Sequence, residues 1–343
     1  MNHFFCYFFL FSRIKDVLLQ AEKEISLTHS IGVRKEKKNS NITLIEMKQQ
    51  PTSNNTIKGF AAAVVAAICY GTNPLGTLEL YADGFNSGTV LSYRYGLAVL
   101  MFAIIMLVRR ESFAIKWGHA IKFALLGTFF ALSSITLYVS FIYMAAGIAS
   151  TLLFVYPIMT ALLMTAFFHE KVTWSTSMAI ILAVAGVAML YQGDGDAKLS
   201  TAGFSLVMAS SLLYAIYIIA VNQWQTNMSS LKFTFWILVF CFMAILVFAW
   251  LSGNHLQMLH TPTQWACAVQ LALLPTVLSL FFMTISINLI GSTPSAIMGA
   301  LEPVTAVCIG VFIFGEAFSL RLGIGILLIL AGVVLIILRK KKS

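Results

Sequence analysis

Charge is what this sequence lacks. Of 343 residues only 10% are Asp, Glu, Lys or Arg, while 59% are hydrophobic and the mean hydropathy is +0.88. A soluble chain carries roughly 25% charged residues to cover its surface, so a large soluble enzyme is excluded. Cysteine is scarce as well. Of Cys6, Cys69, Cys241, Cys267 and Cys308, the last four fall in apolar stretches, far apart and without metal-ligand spacing. They read as small hydrophobic fillers. There is no Walker motif, no Gly-x-Ser-x-Gly and no phosphate-binding loop, which leaves an ATP-driven pump without support. All six histidines lie in the amino-terminal region or near the ends of apolar runs. His169-Glu170 has no second histidine four residues on, so it is not a zinc motif. No metal or cofactor is expected.

What is present is apolar length. From Lys58 onward, runs of about 20 residues alternate with short breaks, and each is long enough to cross a bilayer as a helix. Helices are expected near 59–78, 87–108, 120–143, 148–168, 174–191, 201–221, 232–251, 265–289, 294–314 and 319–338. These ten spans use most of the chain and leave no segment for a soluble catalytic domain. Residues 1–57 differ: the aromatic run Phe4–Phe11 is too short to span and lacks a signal peptide's flanks. The rest of that segment mixes charges and amides without period, as a disordered cytoplasmic tail does. Translation starting at Met47 is an equally good reading.

The 22 Lys and Arg outnumber the 13 Asp and Glu, giving a net charge of +9. The excess is not a nucleic-acid face, because it clusters in the first 58 residues and at Arg339, Lys340, Lys341 and Lys342. With a cytoplasmic amino terminus, the inner loops carry Arg109, Arg110, Lys116, Lys171 and Lys232. The outer loops carry Asp83, Asp194, Asp196 and Glu316, with only Lys198 and Arg321 against the trend. This positive-inside bias places both termini in the cytoplasm, as in a multi-pass protein of a bacterial inner membrane.

The two halves resemble each other. One offset of 146 pairs Pro157 with Pro303, Glu170 with Glu316 and Gly186 with Gly332; a similar offset pairs Gly59 with Gly203, Phe60 with Phe204 and Tyr70 with Tyr214. Ala124-Leu125-Leu126 likewise matches Ala272-Leu273-Leu274. Five spans per repeat is an odd number, so the second repeat enters the bilayer from the opposite side. Inverted repeats of this kind can exchange conformations and open a central site to each face in turn. The expected divisions are a tail over 1–57, repeats over 58–192 and 193–338, and a basic end over 339–343.

Leu301-Glu302-Pro303-Val304, then Gly310 and Gly315-Glu316, then a glycine-rich last helix, resemble the EamA family of the drug/metabolite transporter superfamily. Pro157, Glu170 and Gly186 resemble the same family's first repeat, with His169 departing from its usual glycine. The resemblance covers about 58–338. It implies an all-α polytopic membrane protein of ten transmembrane helices in two inverted five-helix repeats, with spans 5 and 10 peripheral. It also implies secondary transport, commonly export, of small metabolites or amino acids.

Two charges break the repeat symmetry. Arg94 lies within span 2 and pairs with Leu238; Glu302 lies within span 9 and pairs with Tyr156. A charge in mid-span costs about 2.5–3.5 kcal/mol on insertion scales, so each must face protein or water. The competing reading for Arg94 is a side chain that snorkels to the interface. Our expectation is that both line one cavity. Arg94 would be the fixed cation for a substrate carboxylate, and Glu302 the titratable group for a proton or a substrate amine. Tyr70, Asn73, Tyr93, Tyr138, Tyr156, Tyr214 and Tyr217 add a polar, aromatic lining suited to an amphipathic organic solute. Pro157 and Pro303 serve as hinges or shape the packing. Glu170 and Glu316 are expected to be structural, each beside the helix start capped by Thr173 or Ser319. Ala179, Ala183 and Gly325 permit close helix contacts, which leaves a homodimer open. An intramembrane enzyme and a non-transporting sensor are the alternatives; the first needs a positioned nucleophile and base that the spans do not offer.

Overall fold

A computed structural model gives the fold. It describes residues 53–168, 174–192, 200–224, 228–253, 255–290, 295, 298–299 and 301–340. The tail before residue 53, Met47 within it, and His169, Glu170, Thr173 and Pro294 lie outside the described residues. Within them the secondary structure is helix and loop, without strand. The helices form ten segments, numbered here as spans, at the positions that hydropathy predicts. Span 1 is Ser53–Gly71 with Asn73–Ala82, span 2 Ser87–Val108 and span 3 Trp117–Ser140. Span 4 is Ala146–Leu153 with Tyr156–Phe168, span 5 Trp174–Gln192, span 6 Thr201–Gln223 and span 7 Ser230–Leu251. Span 8 runs from Pro262–Ala272 to Ser279–Ile290, span 9 holds Leu301–Phe314 and span 10 is Leu320–Lys340. Among the described residues seven helices are long and apolar enough to cross a bilayer. Trp117, Trp174 and Trp250 stand exposed at span ends, where indoles favour the interface.

The principal packing pairs are those of a twofold axis. Span 1 packs on span 8 as span 6 packs on span 3. Span 2 meets span 8 as span 7 meets span 3, and span 1 meets span 9 as span 6 meets span 4. Spans 2 and 7, 4 and 9, and 5 and 10 pair with each other. Exchanging each span with the one five places on maps this set onto itself. Gly59, near the start of span 1, lies against Leu289 and Ile290 at the end of span 8. Gly203, near the start of span 6, lies against Tyr143 and Met144 just past span 3. The two contacts fall on opposite faces, as inversion requires.

Two of the prolines stand where helices restart. Pro157 and Pro303 do not kink the middle of a continuous helix. Span 4 breaks at Phe154–Val155, and Pro157 is the second residue of the helix that restarts at Tyr156. Before span 9's Leu301–Phe314 helix there is a turn at Gly299, so Pro303 is likewise in a first turn. The missing N–H is harmless there, because first-turn donors have no helical acceptor. Two further irregularities have no symmetry mate. Span 1 breaks at Thr72 and restarts at Asn73-Pro74, while span 6 is continuous. Span 8 carries a π-turn over Leu273–Leu278 around Pro275, while span 3 is continuous.

Ala183, Gly186 and Gly325 of spans 5 and 10 are consumed inside the chain. Ala183 is buried, and Gly186 packs so closely on span 10 that a Cβ there would stand 2.8 Å from the Gly325 carbonyl and from Ile329. These residues therefore lend no support to a homodimer. Gly186→Leu should force the two helices apart and destabilise the fold by about 1–3 kcal/mol. Gly118→Ala, where nothing lies within 4 Å, should be close to neutral; thermal unfolding in detergent compares the two.

Candidate functional site

Arg94 is 2% exposed, roughly 10 Å along span 2 from its start at 1.5 Å per residue. It does not snorkel. Its Nη1 donates to the Tyr138 hydroxyl of span 3 at 2.6 Å, and its Nε donates to Thr276 Oγ1 of span 8 at 3.1 Å. The guanidinium carbon also lies 5.0 Å from the Tyr95 ring centre and 5.5 Å from that of Tyr138, within cation–π range. None of its hydrogen bonds goes to a carboxylate, so the positive charge is solvated by hydroxyls and ring faces.

The irregular helices supply those partners. In a regular helix the Leu271 carbonyl would accept from residue 275, but Pro275 has no N–H. Thr276 fills the gap by donating its hydroxyl to the Leu271 carbonyl at 3.2 Å. That leaves a lone pair on Thr276 to accept from Arg94. Tyr138 in turn donates to Asn73 Oδ1 at 3.2 Å, where span 1 restarts after its break. The break itself is held by Gln270 of span 8, whose Nε2 donates to the Thr72 hydroxyl at 3.0 Å and its carbonyl at 3.3 Å. Spans 1, 2, 3 and 8 are thus joined by one chain of hydrogen bonds through Arg94.

Beside this network lies an aromatic group. The Tyr156 and Tyr214 rings meet edge to face at 4.7 Å, and Tyr214 stacks on Tyr217 at 5.7 Å. Phe130 connects them to Tyr95, with ring centres 5.1 Å from Tyr217 and 5.8 Å from Tyr95. Glu302 opens the Leu301–Phe314 helix, where the N-terminal dipole favours an acid. It lies within electrostatic range of Arg94, Tyr70, Tyr156 and Tyr214. Glu302, Tyr70, Tyr156, Tyr214 and Tyr217 are half-buried. The two breaks approach each other at Gly71, where a Cβ would collide with the Glu302 carbonyl and Thr305.

Ten of the eleven residues singled out in the sequence thus lie in this region or at its helix breaks. Tyr93 stands apart, edge-on to Trp265 at 5.7 Å near the start of span 8. Thr276 and Gln270 complete the site without any sequence signal of their own; a proline inside an apolar run, Pro275, was the available clue. A separate fissure of about 400 Å³ lies between spans 4, 5 and 6 and is lined by apolar side chains such as Ile158, Val184 and Met208. It holds none of the polar groups above.

Among the described residues no group of His, Cys, Asp and Glu could hold a metal ion. Glu316, expected to serve its own helix start, instead reaches span 4: it accepts from the Ala146 N–H at 2.8 Å and the Gly147 N–H at 3.2 Å. Burial pushes its carboxyl above the ordinary carboxylate value, against the pull of those two donors. Ser319 does cap span 10, accepting from the Leu322 N–H at 3.1 Å.

Fold and site together define a polytopic helical membrane protein with two inverted repeats around a polar centre. The EamA-like transporter family matches residues 57–192 and 201–338, and the chain belongs to that family. An uncharacterized transporter of Archaeoglobus fulgidus is 25% identical over 279 residues, 81% of this chain and 95% of that one. Another from the same organism is 30% identical over 129 residues, 37% of this chain and 45% of that one. The uncharacterized transporter YetK of Bacillus subtilis is 24% identical over 191 residues, 54% of this chain and 58% of that one. The chain thus spans about half the length of these last two relatives. A protein crystal structure 17% identical to this chain gives a TM-score of 0.59 over 85% of this chain and 99% of that one, a likeness of fold alone.

Thr276→Val removes the donor to Leu271 and the acceptor for Arg94 without changing shape. It should destabilise the protein by about 1–3 kcal/mol, and Thr276→Ser should restore most of the loss. Equal unfolding temperatures for the valine variant and wild type would show that Arg94 does not depend on this hydroxyl.

Proposed function

We propose that this protein is a secondary transporter that moves a small organic metabolite or amino acid across a bacterial inner membrane by alternating access. Both termini lie in the cytoplasm and the direction is export; the distribution of Lys and Arg supports the first, the family resemblance the second. One observation carries the reading: Arg94 is a buried cation held by Tyr138 and Thr276 rather than by an acid, and a second lone charge, Glu302, stands in the first turn of a helix that restarts after a break. A scaffold has no need of such a pair, since the symmetry-related positions hold Leu238 and Tyr156 and pack without charge. An amphipathic solute would find an acid, tyrosine hydroxyls and ring faces there, with Arg94 setting the local field. Glu302, which can exchange its proton, is the coupling group or the partner of a substrate amine.

The test is flux. Proteoliposomes loaded with a metabolite panel should release at least one solute, and Glu302→Gln should lose that flux or its pH dependence. Flux with an unchanged rate and pH profile in the variant removes Glu302 from the mechanism. Binding without flux, or turnover of a membrane-soluble compound, would replace transport with the sensor or enzyme reading.

A further inference from the structure

Glu316 is held by an arrangement that only part of the repeat can reproduce. Span 9 ends at Phe314, and Gly315 then turns the chain back with φ +68°, a left-handed conformation that residues with a Cβ adopt poorly. The turn is closed by the Glu316 N–H donating to the Gly310 carbonyl at 2.9 Å. The Glu316 side chain then lies over Gly310, where any Cβ would collide with the carboxylate, and reaches across to the first two N–H groups of span 4. A Cβ on Gly147 would stand 3.0 Å from the same carboxylate. At the offset of 146 the first repeat carries Met164 for Gly310 and His169 for Gly315, so neither of the two glycines that form the turn has a glycine counterpart there.

The bond joins span 9 to span 4, one of the three pairs that straddle the twofold axis, and joins one repeat to the other. On the same face a second such pair, spans 2 and 7, is also fastened. The Gln257 N–H donates to Thr89 Oγ1 at 3.1 Å, its Oε1 accepts from the Asn86 N–H at 2.8 Å, and its Nε2 donates to the Gly84 carbonyl at 3.0 Å. These bonds link the segment after span 7 to the start of span 2.

We propose that the Glu316 carboxylate is a detachable latch between the repeats, which holds this face of the bundle closed at rest and must release span 4 for the face to open. The opening itself belongs to the alternating-access reading above; the latch does not depend on which solute is carried. The carboxylate suits the task because both of its bonds go to backbone N–H groups at a helix start. They are strong while the acid is charged and seated, and water can take them over when it leaves.

The experiment measures the distance between spin labels at Tyr143 and Phe318, both exposed on this face, in the full chain in lipid. Wild type should give one short distance. Glu316→Gln keeps the shape but turns an amide N–H toward one of the two backbone donors. Gly310→Ala displaces the carboxylate with a single methyl. Each should add a longer distance, raising the open-to-closed ratio by roughly tenfold, and the double variant should go no further than either single one. Gly310→Ala keeps the test informative should Glu316→Gln fail to fold. Distances identical to wild type in a folded variant would overturn the latch. Flux measured on the same samples separates the two ideas: unchanged distances with flux present defeat the latch alone, and shifted distances with no solute moved by any sample defeat the transport reading alone.

Discussion

A guanidinium cannot shed its proton, so wherever the fold places Arg94 the protein must act as its solvent. Charge insertion at mid-span costs about 2.5–3.5 kcal/mol, and hydrogen bonds to a charged group return about 1.5–3 kcal/mol each. Tyr138 and Thr276 together are therefore of the right size to hold the charge, with the faces of Tyr95 and Tyr138 adding to them. Neither bond is free of conditions. Thr276 is buried and placed by a π-turn, while its counterpart at the offset of the Ala-Leu-Leu match, Thr128, is exposed and bonded to its own helix. Tyr138 is oriented by Asn73, which sits where span 1 breaks. The irregularities of spans 1 and 8 are thus what one buried cation requires of its neighbours.

This separates two kinds of helix break. Those in spans 4 and 9 come as a symmetric pair, each with a proline in the following first turn, and belong to the scaffold that both repeats share. Those in spans 1 and 8 have no partners in spans 6 and 3, and they converge on the Arg94 network. Pairwise packing obeys the twofold relation while the chemistry departs from it. Two halves can exchange conformations only if they are alike, and a solute can be bound selectively only if the site between them is not uniform.

The span positions, the repeat and its inversion were legible because they depend on local properties: apolar length, an odd span count, and rare residues in one register. Gly59 and Gly203 could be matched in the sequence, and they prove to be the same contact at opposite faces. The bonds between spans were not legible. When nearly every face of a helix is apolar, hydropathy no longer tells which side faces its neighbours. Tyr93 and Arg94 are adjacent in sequence, yet one meets Trp265 edge-on at the edge of the site and the other is at its centre. Glu316 shows the same limit: an acid near a helix start was recognised, but the helix it serves is 170 residues away in the chain.

Glu302 stands at the start of a helix rather than within one. A residue in the middle of a continuous span moves only if the whole span moves. A residue in the first turn after a break can move when one short helix pivots, and Pro303 beside it has no backbone N–H bond to lose. Its carbonyl is pressed by Gly71, the last residue before the break in span 1, and two residues later Asn73 holds Tyr138 and through it Arg94. Gly71 therefore places the span 1 break directly against the start of the span 9 helix. The acid and the cation make no ion pair, but Gly71 beside the one and Asn73 in the support of the other flank the same break in span 1.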